Sequence, residues 1–239
     1  QTKKKDPHMN FIKKVNLGCG PIGKDDWINL DWGILAFMHR NPLVENFLLA
    51  CKLFPKGYNI KWPKNLFLHN CRSKLPFKEG SIDFIYSSHF IEHLKRFETE
   101  RILEDCHRVL KKNGVLRLII PDLELLTRKY VEKDKDFFCA LNHLLNNDPN
   151  SKEEFYFADV FLDSFFPVSY KKPYKGMHRL YSFFIRPHLW MYDFNSLRGV
   201  LEKAGFEKIR KLNFREGKVP DLDHLDVFPE ISLYVEAEK

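Results

Sequence analysis

Apolar residues along this chain follow two rhythms. Short segments with mostly apolar positions at Phe11–Leu17, Trp27–Asp31, Leu66–His69, Ile82–Ser87 and Val115–Ile120 read as buried strands. Before the last of these, Ile102, Leu103, Cys106, Val109 and Leu110 recur at helical spacing within Glu98–Lys111. Lys111 and Lys112 suit the C-terminus of that helix, and Asn113-Gly114 supplies a stop. Strand, helix and strand at this spacing predict a βαβ unit, and with it a parallel sheet. Gly33–Leu53 reads as one or two amphipathic helices, ended by Pro55, Gly57 and Pro63, and Leu75–Gly80 as a turn. Leu123 to Tyr174 is helical in character, rich in Phe and Tyr, and broken at Asp148-Pro149-Asn150. An insertion there lies at the carboxyl edge of the sheet, where open α/β folds bind ligands. It suits a substrate lid, and a dimer interface would use the same aromatic composition. Asp193–Ala204 predicts a further helix closed by Gly205, and two late strands follow at Phe206–Phe214 and Ile231–Ala237.

Composition narrows the class. With 239 residues, 44% hydrophobic content and 22 Phe, the chain has ample material for a core. We expect one α/β domain over residues 10–239, with helical insertions at about 33–64 and 123–180. Residues 1–9 are basic and end in Asp-Pro-His-Met, which reads as the remnant of a tag. No apolar run approaches the roughly 18 residues of a membrane span. The five cysteines, Cys19, Cys51, Cys71, Cys106 and Cys139, include no C-x-x-C pair. Without an export signal they read as reduced thiols in a cytoplasm. The net charge of +7 permits attraction to nucleic acid, anionic lipid or a peripheral membrane surface. The lysines are dispersed, however, so solvated surface is the plainer role and no specific nucleic-acid partner is expected.

The richest chemistry sits in Val15-Asn16-Leu17-Gly18-Cys19-Gly20-Pro21-Ile22-Gly23, followed by Trp27-Ile28-Asn29-Leu30-Asp31. Gly18, Gly20 and Gly23 satisfy G-x-G-x-x-G, the dinucleotide pattern. A dinucleotide site, however, holds its pyrophosphate on the N-terminus of a crossover helix. Only Pro21 to Asp26 separate Gly20 from Trp27, whereas a βαβ crossover takes roughly a dozen residues or more. A ligand with an adenosine and no phosphate does not need that helix, and S-adenosylmethionine is such a ligand.

Four blocks in this order resemble the class I S-adenosylmethionine-dependent methyltransferases from about Phe11 to Lys239. They are V-N-L-G-C-G with W-I-N-L-D, then L-P-F-K-E-G-S-I-D-F-I-Y-S-S-H-F-I-E-H-L, then L-K-K-N-G-V-L-R-L-I-I-P-D-L, and finally S-L-R-G-V-L-E-K-A-G-F. The shortened first loop, His188-Leu189-Trp190-Met191-Tyr192-Asp193 and Ser232-Leu233-Tyr234-Val235-Glu236-Ala237 resemble a bacterial subgroup associated with surface-polysaccharide and glycan biosynthesis. The resemblance implies a Rossmann-like, seven-stranded, mainly parallel sheet with an antiparallel strand near its edge. It also implies S-adenosylmethionine as cofactor and O-methylation of a sugar hydroxyl on a glycan or glycan precursor. Methylation of nucleic acid or of another small molecule stays open, as does a binding module that holds the cofactor without turnover.

On that resemblance the cofactor site comprises Asn16, Gly18, Cys19, Gly20, Asp31, Asn70, Ser88 and His89. Gly18 and Gly20 let the ligand approach the main chain, and Asp31 suits the ribose diol, although a tight turn and a helix cap are the plainer roles. Asn70 stands where related chains carry an acid for the adenine amine, and its amide can still accept that bond. His89, directly after the fourth strand, is the first candidate for a general base, with His188 and His178 behind it and Asp193 as an orienting partner. His89, Glu92 and His93 also spell H-x-x-E-H, an inverted zinc-protease pattern. That motif needs a helix carrying both histidines, whereas a strand runs into this one. No metal is therefore expected, and Glu92 and His93 read as residues that cap or pack the following helix.

Overall fold

The computed structural model describes residues 12–51, 61–146, 155–166 and 187–239. A seven-stranded sheet organises it, in the order β3-β2-β1-β4-β5-β7-β6. Its strands are β1 (Lys14–Leu17), β2 (Ile28–Asp31), β3 (Leu66–Leu68), β4 (Ile82–Ser88), β5 (Leu110–Pro121), β6 (Glu207–Leu212) and β7 (Ser232–Glu238). Pairing is parallel from β3 through β5, and β7 runs antiparallel to both β5 and β6. Strand order reverses between β1 and β4, so the ends of those two strands and the loops leaving them frame a crevice, the usual ligand position in open α/β sheets.

Residue chemistry explains the layers. The helix α3 (Arg96–Val109) buries Ile102, Leu103, Cys106 and Val109, the stripe its periodicity predicts. These pack with Val15, Leu17, Ile85, Leu116 and Leu118 of the sheet, and with Leu197, Val200 and Leu201 of a later helix, Phe194–Lys203. On the opposite face Trp27, Tyr86, Ile119, Leu225 and Tyr234 form a second cluster. Within that face Arg117 is fully buried. Its guanidinium donates to both carboxylate oxygens of Asp226 at 3.0 and 2.6 Å, and to Glu236 at 3.3 Å. The β5–β7 register sets Arg117 directly opposite Glu236, so the sheet itself pairs these charges.

The structure moves one boundary. α3 ends at Val109, and Leu110 already belongs to β5, so Lys111–Gly114 lie in a strand rather than in a helix end and its stop. The cause is pairing across the sheet: the Lys111 amine binds both carboxylate oxygens of Asp83 at 2.7 and 2.8 Å, and Asn113 N–H donates to Lys239 O.

The insertion after β5 begins with three helices, α4 (Leu123–Glu132), α5 (Lys135–Asn146) and α6 (Phe157–Asp163). Leu126, Phe138, Leu141 and Val160 form their shared core, lined by Tyr130, Phe137, Phe155, Phe157 and Phe161. The aromatic residues described there thus pack largely on one another. The earlier insertion gives α1 (Ile34–Arg40) and α2 (Pro42–Ala50), and α2 buries none of its residues. Among the described residues no helix is long and apolar enough to cross a membrane. Residues 1–9, the break at 148–150 and His178 lie outside the described residues.

Candidate active site

β1 leads directly into the glycine loop, and no helix lies between β1 and β2. Gly18 N–H and Cys19 N–H both donate to Leu30 O, at 2.9 and 3.0 Å, which folds the loop against β2. Gly18 has φ +66°, and a Cβ there would stand 2.5 Å from the Phe90 ring. Gly20 has φ +50°, and a Cβ there would meet nothing within 4 Å among the described residues. The two glycines therefore do different work: Gly18 admits a neighbouring ring, and Gly20 leaves its backbone open.

Asp31 ends β2 beside this loop. Its carboxylate accepts from Gly20 N–H at 2.7 Å and from Trp32 N–H at 2.6 Å. Burial pushes its pKa up from the ordinary carboxylate value, against the opposing pull of those two amides. A carboxylate has about four lone-pair sites, so two amide donors leave capacity for further hydroxyl donors.

The other residues of the expected cofactor set lie around this loop and the end of β4. Asn16 is buried, with its amide donating to Ile22 O at 2.8 Å, so it braces the glycine loop from inside. Cys19 is buried and its Sγ points to Gly20 O; burial raises its thiol pKa, which keeps it protonated. Asn70 uses its side-chain oxygen on Arg72 N–H and Nε, at 3.2 and 3.3 Å, in an Asx turn. Ser88 is the last residue of β4, with His89 immediately after it.

Past Ser88 the chain turns sharply. His89 has φ +48°, a left-handed conformation that is uncommon for histidine and typical of constrained sites. Its N–H donates to Ile119 O at 2.8 Å, which locks that backbone to β5. The ring lies between two groups: Nδ1 is 3.2 Å from Glu92 Oε1, and Nε2 is 3.1 Å from Ser232 Oγ. Phe90, the next residue, carries the ring that rests on Gly18, and so couples this turn to the glycine loop.

Glu92, read from the sequence as a capping or packing residue, is the notable member of this cluster. Its side chain is 1% exposed, and neither carboxylate oxygen has an aligned hydrogen-bond donor among the described residues. Burial works to raise its pKa, but the adjacent His89, with lesser help from His93, holds the net value below the ordinary range. The backbone carbonyl of Glu92 accepts from Leu189 N–H at 2.7 Å and Trp190 N–H at 3.1 Å, while Pro187 O lies 3.2 Å from His93 Nδ1. Those bonds bring His188 to the site from far along the chain. The His93 and His188 rings meet edge-on with centroids 4.8 Å apart. Burial lowers the His188 pKa to about 4, so its ring is neutral at physiological pH.

Asp193, expected to orient a catalytic histidine, is instead the N-cap of the helix Phe194–Lys203. Its carboxylate accepts from Ser196 N–H at 2.7 Å within a capping box. A helix start satisfies its free amides with such a carboxylate, and that accounts for the residue. The partner of His89 is Glu92, which the sequence reading missed; the H-x-x-E-H spacing is the signal that could have found it.

The family described as "Methyltransferase domain" matches residues 54–118. Similar solved structures include an S-adenosylmethionine-dependent methyltransferase from Thermotoga maritima, at 19% identity over 95% of this chain and 81% of that one, with a TM-score of 0.44. Another, from Archaeoglobus fulgidus, has 15% identity over 98% of this chain and 89% of that one, with a TM-score of 0.46. A third, from Mesorhizobium loti, has 14% identity over 95% and 91%, with a TM-score of 0.44. Among curated proteins none matches. The domain match, which spans β3, β4, α3 and the first part of β5, together with the strand order, supports a class I S-adenosylmethionine-dependent methyltransferase.

Proposed function

We propose that the chain methylates a hydroxyl group of a saccharide or glycan precursor, with His89 taking the proton of the attacking oxygen. The observation that carries this reading is the His89–Glu92 pair at the end of β4, joined to the glycine loop by Phe90. Open space at Gly20 and the spare lone pairs of Asp31 fit the methionine and ribose ends of S-adenosylmethionine, and the amide NH2 of Asn70 fits a ring nitrogen of its adenine. The cofactor, when bound, supplies an activated methyl group and its own leaving group.

The protein then contributes alignment and proton transfer. Glu92 facing Nδ1 favours the tautomer with its proton on that nitrogen, so Nε2 is the basic atom, now beside Ser232. Acceptor entry would displace the Ser232 contact, and the long His89–Glu92 approach would tighten as water leaves. A saccharide hydroxyl is weakly acidic, which is why a base near neutrality matters for it.

Incubation with methyl-labelled cofactor and a panel of glycan acceptors tests the reading. Transfer to a saccharide oxygen is expected, and His89→Ala should slow it by about 10²–10⁴-fold while sparing cofactor affinity. Full turnover in His89→Ala would remove it as the base. Tight, saturable binding of a defined RNA at physiological salt, with label passing to that RNA, would replace the saccharide reading.

A further inference from the structure

The same turn gathers donors that methyl transfer with a histidine base does not require. Glu92, His93 and His188 each offer one ligand atom, and these atoms all lie within 4.8 Å of one another. We propose that these three side chains form a mononuclear binding site for a first-row divalent metal ion.

The state of each donor supports this. The Glu92 carboxylate is withdrawn from water, and among the described residues its ion pair is with His89 and with no lysine or arginine. A buried carboxylate is stabilised by a positive partner, and a metal cation supplies one. Oε1 stands 3.2 Å from His89 Nδ1 and Oε2 has no donor among the described residues, so the carboxylate keeps an oxygen for a ligand bond. His188 Nδ1 is likewise buried with no described partner, while the Ser164 backbone bonds the ring. For His93, a carbonyl can only accept, so the Pro187 contact sets a proton on Nδ1. Metal-binding histidines commonly have this outer bond, because it sets the tautomer and aims the ring.

Geometry and chemistry agree on the class of ion. Ligands 2.0–2.2 Å from a tetrahedral ion stand roughly 3.4 Å apart, so atoms now within 4.8 Å need close by only about an ångström. Two imidazoles and a carboxylate favour zinc, cobalt, iron or manganese over calcium or magnesium, which prefer all-oxygen shells. Three protein ligands also leave a position open, as catalytic rather than structural sites do. The absence of a helix carrying both histidines does not exclude the site, because the third donor arrives through the backbone clamp at Glu92.

The test is binding of Co²⁺ and of Zn²⁺ to metal-stripped protein, without cofactor or acceptor, by calorimetry and by the visible absorption of Co²⁺. One equivalent is expected, with affinity falling at least tenfold in Glu92→Gln, in His93→Ala and in His188→Ala, and unchanged in the remote His107→Ala. Melting curves in the absence of metal establish which variants are folded, and any one folded ligand variant suffices to decide. No stoichiometric binding by the parent protein, or equal affinity in a folded ligand variant, would overturn the site. Because the readout is metal binding, failure of the saccharide assay leaves the result standing, and failure here leaves methyl transfer by His89 open to its own test.

Discussion

Gly18 and Gly20 are alike in sequence and unlike in environment, so alanine at each should separate packing from ligand access. Both have positive φ, and an L-residue there costs about 1–2 kcal/mol of backbone strain. At Gly18 the new methyl would also stand 2.5 Å from the Phe90 ring, inside van der Waals contact. Forcing the ring aside adds about 1–3 kcal/mol. Gly18→Ala should therefore destabilise by about 2–5 kcal/mol and Gly20→Ala by about 1–2 kcal/mol. For a chain of this size 1 kcal/mol shifts Tm by about 2–4 °C, so circular-dichroism melts resolve the two. Calorimetry with S-adenosylhomocysteine should show the opposite ranking. Gly20→Ala puts a methyl where the cofactor would lie and should cost at least tenfold in affinity, about 1.4 kcal/mol or more. A double-mutant cycle with Phe90→Ala isolates the steric part at Gly18, which should vanish when the ring is gone. Equal destabilisation by the two alanines with no coupling to Phe90, or unaltered cofactor affinity in Gly20→Ala, would refute the reasoning.

Three further outcomes follow from the structure. Asp31→Ala should weaken cofactor binding by about 1–3 kcal/mol, the cost of leaving hydroxyl and amide donors unpaired, and titration calorimetry on the folded variant checks it. Arg117→Met leaves Asp226 and Glu236 buried without their cation and should destabilise by about 3–5 kcal/mol in urea unfolding; a loss under 1 kcal/mol would mean that the backbone amides of Arg215 and Lys218 suffice. Asp221 is partly buried, which would raise its pKa, but bonds from Lys24, Trp27 and Lys14 hold it well below the ordinary carboxylate value. A depressed folded pKa gives stability that is complete above the unfolded value, about 3.9, and is lost as pH falls below it. Asp221→Asn should therefore flatten the acid limb of the stability curve below about pH 4, and an unchanged limb would assign the acid loss to other groups.

Strand positions were legible because strands covered on both faces carry mostly apolar side chains, as at Val15 and Leu17 of β1, Ile85 and Tyr86 of β4, and Val115–Ile120 of β5 on either side of Arg117. The α3 stripe was legible for the matching reason, since one face of a helix meets the sheet and the other meets water. The absence of a helix between β1 and β2 also followed from counting, because too few residues separate Gly20 from Trp27. Local spacing cannot say which neighbour spends a side chain. The Asn16 amide is bound to Ile22 O, and Asp193 looked like a partner for histidine until it capped its own helix. Nor does spacing reveal contacts between distant segments. His188 reaches Glu92 and His93 only because Leu189 and Trp190 donate to the Glu92 carbonyl, a bond between chain segments far apart in sequence. The sequence by itself determined the sheet and the glycine loop. The tertiary structure decided which polar atoms remain for chemistry, because hydrogen-bond demand in a buried site is met by whatever the fold brings alongside.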